Sequence, residues 1–497
     1  MSPIVFRKSS GLAPTGRRLL ALPVWAVLLT GCAVGPDFQR PPPPANAAFT
    51  REAFPATTVA APGSTGQAQQ FLAGVDVPDR WWTHFQSPEL DALVQEALKA
   101  NPTVAAAQAA LRQAQAMVKA QRGAYLPRVQ AGYTPSRQKD AGESPFTLHT
   151  AQVSVGFTPD VFGGNRRAVE ALRASAEAQR FQLEATYLTL AANVVTTAVE
   201  QASVRDQIAA TRAIVLANTR ALEILRRQLA VGQVAGLDVA LVEAALAQSE
   251  QQLPELEKQL EQSRNALAAL IGRLPAEAPE HQFSIDSLKL PQELPLSLPS
   301  QLVEQRPDVR VAAAELQAAS AQIGVATANM LPQFSLTAAR GGAAAAFGQM
   351  FATGNPFWSI VAEMSQTLFA GGTLMYERQA AQAAFDQSAA LYKEAVIAAF
   401  QDVSNTLYAL KSDAEALNAA VRTERATQRA LMLVQKQLAA GEVDALALTA
   451  SQQAYQEAVI ARVQAQAARL ADTAALFQAL GGGWWNQARA DTVASKD

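Results

Sequence analysis

Two kinds of periodicity run through this 497-residue chain. Four short segments alternate apolar and polar residues with a period of two. Val129, Ala131 and Tyr133 interleave with Gln130, Gly132 and Thr134, and Ala151, Val153, Val155 and Phe157 with Gln152, Ser154, Gly156 and Thr158. Phe334, Leu336 and Ala338 interleave with Gln333, Ser335 and Thr337, and Trp358, Ile360, Ala362 and Met364 with Ser359, Val361, Glu363 and Ser365. Such alternation marks a strand with one dry and one wet face. Strands are expected at about 128–136, 150–159, 333–340 and 357–369, with loops at 137–147 and 340–357.

The second periodicity is helical. From Asn165 to Ala230 there is neither Pro nor Gly, the two strong helix breakers. About 66 residues at ~1.5 Å each predict a rod of roughly 100 Å. Along it Leu183, Tyr187, Leu190 and Val194, then Val204, Ile208, Val215, Leu222, Leu225 and Leu229, follow a coiled-coil spacing near 3.5. A second rod, Thr373 to Ala440, carries Ala384, Leu391, Val396, Phe400, Val403, Leu407 and Leu410. The plain reading of all these residues is core packing, with abundant Ala allowing close helix approach.

The chain repeats itself. Asn101-Pro102 matches Arg306-Pro307, and Leu126-Pro127 matches Leu331-Pro332, each pair 205 positions apart. Val161-Phe162-Gly163-Gly164 answers Leu368-Phe369-Ala370-Gly371-Gly372. Gln228-Leu229-Ala230-Val231-Gly232 answers Gln437-Leu438-Ala439-Ala440-Gly441. Each half reads helix, strand, strand, long helix, turn, helix, which implies a duplication. The expected division is a leader at 1–31, an extended segment at 32–80, repeats at 81–273 and 300–484 joined by a Pro/Leu-rich linker at 274–299, and a tail at 485–497. The Pro-, Ala- and Gln-rich stretch 36–80 reads as a semi-rigid tether or wrap.

Composition narrows the function. A net charge of −2 offers no electrostatic case for nucleic acid. Beyond the N-terminus no apolar run approaches the ~18 residues of a membrane-spanning helix. The chain has a single Cys, and its three His (His84, His149, His281) sit in no ligand motif, so cofactors and metals are not expected. There is no phosphate loop, nucleophile elbow or zinc-protease motif, and nothing else supports an enzyme.

The N-terminus is basic (Arg7, Lys8, Arg17, Arg18) and then apolar from Leu19 to Leu29, the pattern of an export signal too short to span a membrane. It ends in Leu29-Thr30-Gly31-Cys32, which resembles the bacterial lipobox. The resemblance implies cleavage between Gly31 and Cys32, S-diacylglycerol on the thiol and an N-acyl (palmitoyl) chain on the new amine. Several acyl chains anchor stably where one does not. Ala33, in place of an Asp retention signal, favours the outer membrane.

Lipidation at an outer membrane turns the alternating strands into barrel candidates, with apolar residues outward and polar residues inward. On that reading Gln152, Ser154, Thr158, Ser359, Glu363 and Ser365 line the lumen. Four strands cannot close a barrel, and an open sheet edge cannot sit in lipid. Two copies give a barrel filled by its own side chains; three give twelve strands and room for a channel.

At this point the residues resemble a known family, the TolC-like outer-membrane efflux proteins, and within it the NodT-type lipoprotein branch. Leu29-Thr30-Gly31-Cys32, Val34-Gly35-Pro36-Asp37-Phe38, Trp81-Trp82 with Phe85 and Pro88-Glu89-Leu90-Asp91, Asn101-Pro102, Leu331-Pro332, Phe369-Ala370-Gly371-Gly372, Gly232 with Leu237-Asp238-Val239, and Leu480-Gly481-Gly482-Gly483-Trp484 carry the likeness in order over nearly the whole mature chain. The family implies a mainly α fold with a small β part: a homotrimeric outer-membrane barrel of twelve strands continuing into a periplasmic coiled-coil tunnel. It implies a passive duct docked to a periplasmic adaptor (a membrane fusion protein) and an inner-membrane pump, most often of the resistance–nodulation–division type. The helix–helix turns 231–238 and 440–447 would form the tunnel tip. Gly232 and Gly441 suit helix C-termini, and Asp238 an N-cap. Relatives often place a closing acid where Ser451 stands here, so Asp444, Asp238 or Glu243 would have to replace it. A type I protein-secretion duct shares the fold, and a lipid-anchored coiled-coil scaffold without a pore is the alternative from another class.

Overall fold

The computed structural model describes residues 33–44, 48–142, 144–279 and 283–486. The export signal, Gly31, the acylation candidate Cys32, His281 and residues 487–497 of the tail lie outside the described residues. In chain order the elements are β1 (Gln70–Ala73), α1 (Pro88–Ala100), α2 (Pro102–Arg122), β2 (Arg128–Gln138), β3 (Phe146–Phe157), α3 (Gly164–Ala230) and α4 (Gly236–Leu270). The second half follows with β4 (Glu293–Leu296), α5 (Pro299–Gln305), α6 (Pro307–Ala328), β5 (Gln333–Ala344), β6 (Pro356–Ser365), α7 (Thr373–Ala439) and α8 (Ala445–Ala479). The duplication is visible in the lengths: α3 and α7 have 67 residues each, α4 and α8 have 35 each. No described helix is long and apolar enough to cross a membrane.

The chain divides into two compact units, 1–38 with 118–172 and 318–385, and 39–117 with 173–317 and 386–497. The first unit holds one antiparallel sheet in the order β2-β3-β5-β6. The strands are real, but their ends differ from the alternation. β3 begins at Phe146 and stops at Phe157, so Thr158 is not in the sheet. β6 ends at Ser365, four residues short of the expected limit. The reason is pairing: Ser365 lies opposite Gln333, the first residue of β5, and no strand residue of β5 remains to continue the ladder beyond it. At their other ends β2 and β5 reach Gln138 and Ala344, which shortens both connecting loops.

The same unit fixes the start of the described chain. Arg167, in the first turn of α3, is 5% exposed. Its guanidinium donates to the carbonyls of Val34 (3.1 Å) and Gly35 (3.3 Å) and to the carboxylates of Asp37 and Glu170, both at 2.8 Å. The Val34 N–H donates to the Phe162 carbonyl at 3.0 Å. Gly35 lies so close to Gly324 that an added Cβ would meet its Cα at 2.4 Å, and its φ of +97° independently favours glycine.

In the second unit the helices pack as the heptads require. α7 buries Tyr392, Val396, Ala399, Val403, Leu407, Leu410, Ala414, Leu417 and Val421, steps of three and four throughout. Leu391, expected on this stripe, is 46% exposed, and its neighbour Tyr392 takes the place. On α3, Leu183, Leu190, Val194, Val204, Ile208, Leu222 and Leu225 are buried, while Leu229 in the last turn is exposed.

The stretch read as tether, and the linker between repeats, are more ordered than their composition suggests. β1 and β4 pair in parallel, Gln70 opposite Glu293 and Ala73 opposite Leu296. Arg469 on α8 is fully buried and donates to Thr58 Oγ1 (2.9 Å), the Thr65 carbonyl (3.0 Å) and the Gln67 carbonyl (2.7 Å). Gln69 donates through Nε2 to the Pro291 carbonyl and to Thr473 Oγ1, each at 3.0 Å. Buried polar side chains hold this wrap together with aromatic contacts, Phe54 on Phe71 (5.2 Å) and Phe49 on Phe400 (5.7 Å). That is how a Pro- and Gln-rich segment becomes ordered.

Candidate functional site

Two sets of residues bear on function, and each belongs to one unit. The first is the sheet. In an antiparallel pair, residues directly opposite share a face. The register sets Gln130 against Ser154, Ser154 against Ala339, and Ala339 against Ser359. Gly132 faces Gln152, and Glu363 faces Ser335. Gln152, Ser154, Ser359, Glu363 and Ser365 therefore share one polar face with Gln130, Thr134 and Thr337. Val361, exposed on that face, is an apolar exception, as are Phe146, Leu148 and Phe357 toward the loop end of the sheet. Thr158 falls outside it, in a small pocket of about 170 Å³ beside Asp160 and Asn165.

The opposite face carries Val129, Tyr133, Val153, Leu336, Trp358, Ile360 and Met364. Trp358 is 75% exposed, Ile360 67% and Met364 64%. Arg340, exposed between Val153 and Trp358, interrupts this face; the rest is an open apolar surface suited to lipid or protein. Tyr133 Oη and His149 Nδ1 share a hydrogen bond of 2.7 Å, with rings stacked at 5°, and Phe347 meets Tyr133 edge-on at 5.5 Å. This small aromatic group suits an interfacial girdle. The sequence does not single out His149, because it sits in no motif. β2 and β6 are the sheet's edges, each without a second strand neighbour among the described residues.

The second set lies at the helix–helix turns. Gly232 has φ +74° and Gly441 φ +77°. The Gly232 N–H donates to the Leu229 carbonyl and the Gln233 N–H to the Gln228 carbonyl, both at 2.9 Å. Gly441 and Glu442 repeat this on Leu438 (3.0 Å) and Gln437 (2.9 Å). Both turns are thus the helix C-cap closed by a left-handed glycine.

The returning helices start differently. Asp444 is a true N-cap, its Oδ1 accepting the Ala447 N–H at 3.0 Å. Asp238 is not: α4 begins at Gly236 behind Ala235, and the Asp238 carboxylate, one turn in, reaches back to accept the Ala235 N–H at 2.9 Å. Residue type does not separate the two roles, because an Asp suits either the N-cap or the third helical position. Glu243 pairs with Arg226 at 2.6 Å across the first turn, beneath which Leu222, Leu225, Val239 and Val242 form a small core. Gly232, Asp238, Gly441 and Asp444 border one cleft of about 1250 Å³ with Ile224, Leu438, Val443 and Leu448. Glu243 and Ser451 are not in its lining. Around it Val231 (69% exposed), Leu237 (68%) and Leu446 (53%) present apolar side chains to solvent.

A sheet with one lipid-facing and one polar face and two open edges, in a chain that also builds paired 67-residue helices, defines an outer-membrane channel protein. Comparison with known proteins makes this specific. The family model described as "Outer membrane efflux protein" matches residues 93–273 and 298–482, once per repeat, and the chain belongs to that family. The pyoverdine export outer membrane protein OpmQ of Pseudomonas aeruginosa is 30% identical over 434 residues, 84% of this chain and 90% of that protein. The toluene efflux pump outer membrane protein TtgC of Pseudomonas putida is 28% identical over 485 residues, 95% of this chain and 96% of that protein. Among solved structures, the outer-membrane channel OprN is similar with a TM-score of 0.81 at 25% identity, covering 91% of this chain and all of that one. The open state of the Neisseria gonorrhoeae MtrE outer membrane channel is similar with a TM-score of 0.79 at 26% identity, covering 91% and 99%. The protein is an efflux channel of the outer membrane that extends into the periplasm; it transports and does not catalyse. Channels of this family form trimers and act with a periplasmic adaptor and an inner-membrane pump.

Proposed function

We propose that three copies close their sheets into one twelve-strand barrel, polar faces inward, and that the duct passes small organic compounds delivered by a resistance–nodulation–division pump through its adaptor. The observation that carries this is the register, which gathers Gln152, Ser154, Ser359, Glu363 and Ser365 on one face and leaves both sheet edges unpaired. Cys32 carries the diacylglycerol thioether and N-acyl chain. In support, Val34, two residues on, is pinned to Phe162 and Arg167 at the end of the sheet where β3 leaves it. Acyl chains there enter the bilayer beside the barrel wall. The cleft bordered by Gly232, Asp238, Gly441 and Asp444 is where the adaptor docks, its exposed Val231, Leu237 and Leu446 supplying the apolar contact and its two carboxylates the polar rim. The cargoes for which the relatives are named, pyoverdine and toluene, set the expected class.

The test is conductance. Purified protein in planar bilayers should open channels, and Glu363→Lys should shift their ion preference toward anions. Channels whose selectivity ignores that charge reversal overturn the lumen assignment, and the absence of any channel overturns the barrel. Palmitate labelling should be lost in Cys32→Ala; labelling that persists refutes the anchor.

A further inference from the structure

Each repeat ends its second strand with a short apolar corner, and the two corners differ sharply in exposure. In the first repeat the corner is Val161-Phe162-Gly163-Gly164, and Phe162 is partly buried with its ring 6.4 Å from Phe334. Phe334 stands at the start of β5, the strand hydrogen-bonded to β3. In the second repeat the corner is Leu368-Phe369-Ala370-Gly371-Gly372. Here Leu368 is 94% exposed and Phe369 89%, more than any other large apolar residue described.

The contrast follows from position and from the N-terminal segment, whose Val34 N–H donates to the Phe162 carbonyl in the first corner. The corner of β3 has a neighbouring strand; the corner of β6 is at the edge of the sheet. The other edge carries the missing half. Leu126-Pro127-Arg128-Val129 is the counterpart of Leu331-Pro332-Gln333-Phe334, with Val129 at the place of Phe334. It too is open: Leu126 is 69% exposed and Val129 66%. Two apolar patches whose counterparts meet inside the chain are thus left bare at opposite edges of one sheet. Within a copy the counterparts of these two patches cover each other, at Phe162 and Phe334.

We infer that Phe369 of one copy seats against Leu126 and Val129 of the next, repeating between copies the Phe162–Phe334 contact within a copy. The occupant of each bare corner is a second copy of this chain, and the inference rests on the trimer proposed above. Internal duplication supplies the template. The interface between copies is the interface between repeats, used once more. Each corner then acts as a latch on the adjoining edge strand, so the ring closes only when every copy offers both patches.

Paired cysteines separate the latch from the trimer. Phe369→Cys with Val129→Cys, treated with a short bis-maleimide on intact cells, should give a ladder of covalent dimers and trimers. Ala362→Cys with Ala131→Cys reports strand closure alone, as both lie on the apolar faces of the two edges. If the strand pair crosslinks and the corner pair does not, the latch is refuted while the trimer stands. If neither crosslinks, the trimer reading itself fails and takes the latch with it. A third variant guards against loss of folding. Phe369→Ser should lower the melting temperature of the trimer in mild detergent, and Val129→Ser should not lower it further when combined with it. Additive losses refute a shared contact.

Discussion

At the scale of single residues, Gly232 and Gly441 do one job twice. Nothing lies within 4 Å of the place a Cβ would occupy at either, so space is not the constraint. The constraint is the left-handed backbone, which costs an L-residue about 1–2 kcal/mol. Ala at either site should therefore lower stability by about 1 kcal/mol and leave the turn in place, whereas Val, branched at Cβ, should cost more. Thermal unfolding of the paired variants checks this. Asp413 is a different case. Burial and a hydrogen bond to the Asp472 carboxyl push it up to about 7, opposed only by the nearby Arg469. Its Oδ2 is buried with no hydrogen-bonding partner, which suits the neutral acid better than the carboxylate. Because the folded pKa lies above the unfolded one, the folded state binds the extra proton, and stability falls as pH rises from about 4 to about 7. Asp413→Asn should flatten that slope and gain on the order of 1 kcal/mol at pH 8, solvent screening having reduced the full effect for a half-buried pair. Melting curves at pH 5.5 and 8 decide it. A slope unchanged in the variant counts against a proton retained on Asp413.

At the scale of elements, the legible parts were those with a long or strict pattern. The rods were plain in the absence of Gly and Pro, and the strands in their alternation. The interior-facing Tyr392 was misplaced by one residue because Leu391 is the more apolar of two neighbours. Strand ends were poorly legible because they depend on where the partner begins: Leu368 and Phe369 continue an apolar run past the last paired residue, Ser365. β1 and β4 left no trace at all. Four residues each, 223 positions apart and with Pro295 inside one of them, they have no alternation to read. Arg167 and Arg469 were equally hidden, since a buried arginine looks like a surface charge until its carbonyl partners are known. The paired faces of the sheet give an element-scale prediction. Ile360→Arg, on the apolar face, should cost about 2–4 kcal/mol in lipid, while Ser359→Arg, one residue away on the polar face, should fold and alter conductance. Heat-resistant oligomer on semi-native gels measures the first and bilayer recording the second. Equal tolerance at both positions would reverse the faces.

At the scale of the whole molecule, the duplicated chain is a repeat economical in parts: two copies of one pattern, matched by the family model once each, with the two longest helices equal in length in both halves. What the halves do not share is the N-terminal segment, since a chain has only one. It is held at Phe162 and Arg167 in the first repeat, and no described segment takes that place at Phe369 in the second. Loss of the Arg167 contacts, in Arg167→Met, should leave the Val34 and Gly35 carbonyls unsatisfied at about 1–3 kcal/mol. Limited proteolysis should then cut sooner near residues 33–44, with the barrel retained.

The two bare edges of the sheet also govern how the protein is made. An open edge with a flat apolar face is a template for pairing with any extended chain, so a lone copy is the species at risk of aggregation. Closure needs several copies at once, and the rate of barrel formation should therefore climb steeply with protein concentration. Refolding into detergent at a series of dilutions should show half-times that shorten as concentration rises, with aggregates dominating when long-helix folding outruns encounter. A half-time independent of concentration would mean the sheet completes itself within one chain.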